Sequence, residues 1–173
     1  MVADSTPTAS EDQAIPFYFP VSRRKLIVLS IFTLGIYQTY WFYKNWMLFK
    51  HRTRRDINPL ARALLAFFYC DDLFEEVAHS ARVRMMPVTF RPGLLWLAYI
   101  VLLFTAKLPN PFWLIATLSF LPLLPVERLM RDINLREAPH VKPNDRISGE
   151  NIAVIILGGL VMIWAVAAPF VLQ

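Results

Sequence analysis

The chain predicts an all-α membrane protein with about four hydrophobic helical segments (26–43, 94–106, 112–126 and 151–172) and one amphipathic interfacial helix (59–84). Three observations predict it. Hydrophobic residues make up 56% of the 173 and charged residues 18%, with mean hydropathy +0.42, whereas soluble domains carry nearer a quarter charged and less than half apolar residues. The apolar residues are gathered into runs of 13 to 22 positions separated by polar stretches. The basic residues sit at the margins of those runs, where a bilayer interface places them.

The N-terminal stretch MVADSTPTASEDQAIPFYFP (1–20) reads as a disordered tail, and residues 21–173 as a single helical membrane domain. Asp4, Glu11 and Asp12 stand where a cleavable signal needs a basic start and an apolar centre. Arg23, Arg24 and Lys25 then precede the first apolar run, which suits an uncleaved signal anchor. The formal net charge is +5. Nucleic-acid binding is excluded, because it needs a basic face on a water-soluble surface and here the charges fall between apolar runs. A single cysteine, Cys70, rules out an intramolecular disulfide and a cysteine zinc cluster.

Leu26 to Tyr43 has no formal charge over 18 residues, roughly 27 Å of helix, which is close to the thickness of a hydrocarbon core. Gly35 interrupts it, so two forms are open: a span, or a re-entrant hairpin turning at Thr33-Leu34-Gly35. The aromatic residues that follow, with the cations beyond them, predict a lipid interface of Tyr37, Tyr40, Trp41, Tyr43, Lys44, Trp46, Lys50, Arg52, Arg54 and Arg55. Tyr and Trp favour the headgroup level, where the ring is apolar and the O–H or N–H stays wet. Lys and Arg beside them meet anionic lipid.

Asn58-Pro59 predicts an N-cap followed by proline at the first helical position. The helix over 59–84 begins apolar and then presents Asp71, Asp72, Glu75, Glu76, His79, Arg82 and Arg84, the pattern of a helix lying at an interface. Arg91-Pro92-Gly93 starts the next run, and Leu108-Pro109-Asn110-Pro111 turns it back as a helical hairpin in which Asn110 caps the second arm. Pro122 and Pro125 kink that arm. Glu127 and Arg131, like Arg128 and Asp132, are spaced for i,i+4 pairs, and Ser148 caps the last apolar helix. Gly158-Gly159 permits a close helix approach.

Of the 18 Lys and Arg, nine lie in 44–91 and five in 128–146, one marks the hairpin turn, and none follows residue 146. The positive-inside rule therefore puts loops 44–90 and 127–150 in the cytoplasm and the C-terminus outside it.

The runs T-L-G-I-Y-x-x-Y-W-F-Y-K-N-W (33–46), I-N-P-L-A-R-A-L-L-A-F-F-Y-C, L-P-N-P-F-W, L-P-L-L-P-V and N-D-R-I-S-G-x-N resemble an uncharacterised family of bacterial multi-pass integral membrane proteins, a domain of unknown function. The resemblance covers roughly residues 16 to 170 and implies an inner-membrane location and a multi-helix fold, with no activity attached.

No catalytic fingerprint for metalloprotease, hydrolase, nucleotide or dinucleotide chemistry is present in the sequence. Asp71, Glu75 and His79 share a helical face, and Glu76-x-x-His79 has the spacing of a helix-borne carboxylate metal site. A bundle metal site needs a matching set on other helices, which is missing, so no cofactor is expected and these acids are assigned to the neighbouring arginines. The leading expectation is a non-enzymatic partner-binding or accessory membrane protein, contacting membrane lipids, anionic ones foremost, and a protein partner or its own copies. Two alternatives stand: a small oligomeric transporter or channel, disfavoured by spans without charged residues, and a metal- or lipid-dependent membrane enzyme using the acidic helix with Arg62.

Overall fold

The computed structural model describes residues 15–139, 141, 144–146 and 148–171. Among the described residues the chain is all-helical, with an isolated bridge between Val21 and Asn144 and no strand. Residues 1–14 of the expected tail lie outside them. Residues 15–20 correct that expectation, since Tyr18 is fully buried.

The segment 26–43 is two helices. Ser22 caps α1 (Arg23–Phe32), its Oγ accepting the Lys25 N–H at 3.3 Å. After Thr33 the backbone goes left-handed at Leu34 (φ 52°) and Gly35 (φ 91°), and α2 (Ile36–Thr53) begins. Thr33 ties the corner: its Oγ1 donates to the Leu29 carbonyl at 2.6 Å and accepts the Tyr37 N–H at 2.9 Å. The chain reverses there, because Phe19, ahead of α1, meets the Tyr40 ring at 5.8 Å and gives its N–H to Asn45 Oδ1 on α2 at 3.0 Å. The break falls at Thr33-Leu34-Gly35, the turn that the re-entrant form requires.

The helix expected over 59–84 is also two. Asn58 caps α3 (Pro59–Leu64) by accepting the N–H groups of Leu60 and Ala61, each at 3.1 Å. Leu65 breaks the ladder before α4 (Ala66–Val83). On α4, Cys70, Leu73, Phe74, Val77 and Ala81 are buried and Asp72 and Glu75 are exposed, a periodicity of 3.6.

The apolar hairpin is α5 (Pro92–Phe104) with a short 3₁₀ turn at Thr105–Lys107, and a returning arm that opens as a 3₁₀ helix (Phe112–Phe120) before α6 (Leu123–Glu137). Proline 111 precedes that arm, and Asn110 does not cap it; its amide instead donates to the Val166 carbonyl at 3.4 Å and accepts from Trp113 Nε1 at 3.2 Å. Phe112, Ile115, Leu118 and Leu121 recur every three residues on the exposed side, the stripe a three-residue turn produces.

The last helix is α7 (Gly149–Val171). Two segments, Phe112–Glu137 and Asn151–Ala168, are long and apolar enough to cross a membrane by length and composition, and Pro92–Lys107 is a shorter apolar one. Gly158 lets α7 rest on α1: a Cβ there would lie 1.6 Å from the Phe32 carbonyl oxygen, and the Phe32 ring lies against Gly159. The glycine pair thus serves a contact within the chain.

Charged groups collect at one end of the bundle. Lys25 Nζ reaches Asn144 Oδ1 at 3.0 Å and the Arg146 carbonyl at 2.9 Å, and Arg84 pairs with Glu137 at 2.7 Å. The contact of Asn110 with Val166 marks the other end.

Candidate functional site

The stripe Gln38, Trp41, Phe42, Asn45, Trp46 and Phe49 is the buried face of α2. Trp41 and Trp46, expected in an interfacial belt, are therefore core residues at 0% and 1% exposure. Their spacing at i, i+1 and i+4 relative to Phe42 and Asn45 is the signal that identifies them: helical period, not aromatic content, decides which rings face inward. Tyr37 and Tyr43 are half-buried and Tyr40 is 44% exposed. Lys44 lies over the Tyr40 ring at 5.6 Å, and Lys50 approaches Asp56 at 3.9 Å.

Arg52 belongs to the fold. It stacks 3.7 Å over the Phe17 ring and donates to the Phe17 carbonyl at 2.6 Å, while Arg84 covers the same ring at 4.4 Å. Arg54 ends α2 in a left-handed conformation (φ 54°). Sequence reasoning missed this strap; the aromatic run Phe17-Tyr18-Phe19 between two prolines was the available signal.

Arg55 alone of that cationic group enters a charged cleft, a cavity of about 440 Å³ between α2, the linker into α3, and α4. Trp46 and Phe49 supply its aromatic wall. Arg55 and Arg62 line the linker side, and α4 contributes Asp72, Glu75, Glu76, His79 and Arg82. Arg62 sits 4.5 Å over the Trp46 ring and 3.4 Å from Asp72 Oδ2; Arg82 lies 3.8 Å from Glu75. Both pairs are partly solvated, so each contributes little and opens easily. Glu76 makes no ion pair among the described residues.

Of the four metal candidates, Glu75, Glu76 and His79 line this cleft and Asp71 does not. No three His, Cys, Asp or Glu among the described residues are placed to hold a metal ion. Consecutive turns of one helix spread these side chains along the wall, where a metal needs them converging from several elements. Burial, reinforced by Glu75 and Asp72, raises the Asp71 carboxyl above its ordinary range. Burial also pushes the Cys70 thiol up to about 12, so it stays protonated and unreactive at 0% exposure.

A second charged feature is a carboxylate inside the fold. Glu127 is 3% exposed between Arg23 Nε at 3.5 Å and Arg131 Nη1 at 3.8 Å. This realises the expected Glu127–Arg131 spacing; an Arg128–Asp132 pair is not seen among the described residues.

No protein-family model, curated protein or solved structure matches the chain.

Proposed function

We propose that the chain is an integral membrane protein with a non-enzymatic docking role, its hairpin of α5 and the returning arm 112–126 together with helix α7 in the bilayer, and its charged end, including α6 from Glu127 on, at the cytoplasmic surface. The observation that carries this reading is α7. Its window Asn151–Ala168 has mean hydropathy 2.3, and none of it is buried inside the protein. Ile152, Ile156, Leu157, Leu160, Ile163 and Trp164 are each at least half exposed. Leaving six such side chains in water is unfavourable by on the order of 5–10 kcal/mol, which lipid contact removes. The exposed stripe Leu94, Leu97, Val101 and Phe104 on α5 adds a second unburied apolar face.

The re-entrant α1–α2 corner fits the same picture, since Gly158 places it against the middle of α7. The bacterial inner membrane, with anionic lipids at Lys44, Lys50, Arg54 and Arg55 and a protein partner or second copy at the charged end, is the setting that the charge distribution and the sequence resemblance support. The C-terminal end of α7 then lies outside the cytoplasm.

Labelling tests it. In inverted vesicles, a membrane-impermeant maleimide is expected to modify Arg54→Cys and to leave Leu160→Cys untouched, with buried Cys70 silent in both. Equal modification of the two sites would overturn the membrane reading.

A further inference from the structure

We infer that the cleft between α2, α3 and α4 binds a phosphate ester carrying a primary ammonium, as in a phosphoethanolamine headgroup. This deepens the docking reading, and its lipid form rests on that reading. Charges of both signs balance in the lining. The lining carries three guanidinium groups (Arg55, Arg62, Arg82) and three carboxylates (Asp72, Glu75, Glu76). A simple anion would meet three carboxylates and a simple cation three arginines, whereas a zwitterion satisfies both sets.

The groups are also arranged for it. Arg55 and Arg62 stand on the linker and α3, where a planar guanidinium fork suits phosphate oxygens. Glu75 and Glu76 stand on α4 with four carboxylate oxygens between them, of which Glu75 Oε2 meets Arg82 at 3.8 Å, leaving acceptors for an ammonium's three donors. The ion pairs already there are long and partly solvated, so a ligand displaces little. A quaternary ammonium would need an open aromatic face, and Arg62 covers that of Trp46 at 4.5 Å while Arg55 lies over Phe49 at 5.7 Å. The volume of about 440 Å³ lies within the range of small-ligand sites. Leu60, Leu64 and Phe68 are exposed around the break between α3 and α4, an apolar surface on the elements that carry Arg62 and Asp72.

The test uses the full chain in nonionic detergent and calorimetric titration with dihexanoyl phosphatidylethanolamine, its choline and glycerol counterparts, and water-soluble glycerophosphoethanolamine. The ethanolamine lipid is expected to bind at least tenfold more tightly than the other two lipids. Glu76→Gln and Arg62→Gln should each weaken it tenfold or more with the unfolding midpoint of Glu76→Gln unchanged. Binding of the water-soluble compound as tight as the lipid assigns a free ligand; preference for the lipid assigns a membrane one; both support the cleft. Equal binding of the three lipids, or full affinity in Glu76→Gln, would overturn it. Maleimide modification of Leu160→Cys together with ethanolamine-selective binding would remove the membrane reading and leave the cleft standing.

Discussion

The side chain of Asn134 holds both backbone polar groups of Tyr18: its Oδ1 accepts the Tyr18 N–H at 2.8 Å and its Nδ2 donates to the Tyr18 carbonyl at 2.8 Å. One amide on α6 thus replaces the strand partner that an extended segment would otherwise need. The Tyr18 hydroxyl completes the anchor by donating to Ser80 Oγ on α4 at 3.0 Å.

Replacing Asn134 with Leu leaves the buried N–H and carbonyl of Tyr18 without partners, at about 1–3 kcal/mol for each group. The expected result is a loss of about 2–6 kcal/mol in denaturant unfolding, with early proteolytic cleavage near residue 17. An unchanged midpoint would show that the strap is held by packing alone.

At Gly35 the constraint is conformation, not space. The nearest atom to an added Cβ is Gln38 Nε2 at 3.8 Å, but φ is 91°. Gly35→Ala is expected to destabilise by about 1 kcal/mol through the left-handed backbone, and a larger side chain should behave nearly the same. A loss growing steeply with side-chain size would contradict this.

Gly158 is the opposite case. A methyl there meets the Phe32 backbone at 1.6 Å, which cannot yield as a side-chain tip would, so α7 must lift from α1. Gly158→Ala should lower the thermal midpoint and raise protease access at residues 144–146, whereas Gly149→Ala, with open space around it, should do neither.

Asp71 gives a pH signature. Its folded carboxyl titrates above the ordinary aspartate range because burial, Glu75 and Asp72 disfavour the charge. The folded state therefore binds a proton more tightly than the unfolded one, and stability falls as pH rises through the window above the unfolded value. Asp71→Asn is expected to raise the midpoint at neutral pH, with the gain fading once the pH drops below the unfolded aspartate range. A gain independent of pH would point to packing instead.

Sequence and tertiary structure divide this protein along a physical line. Local rules are written in neighbouring residues, so the cap at Asn58-Pro59, the hairpin turn near Pro109, the break at Gly35 and the apolar runs were readable directly: each follows from propensity, a missing N–H or a left-handed φ. The cleft was readable only in part. Asp71, Glu75 and His79 were visible as one helical face and Glu76 by its spacing to His79, but Asp71 stays out of the cleft while Arg55 and Trp46 enter it, because α2, the linker and α3 fold over α4. Composition marked Trp41 and Trp46 as interfacial; the stripe on α2 and its neighbours turned them inward. It also marked residues 15–20 as tail, and partners more than a hundred positions away in sequence, Asn134 among them, made them structure. Composition sets which side chains must leave water, while only the assembled helices decide whether protein or lipid receives them.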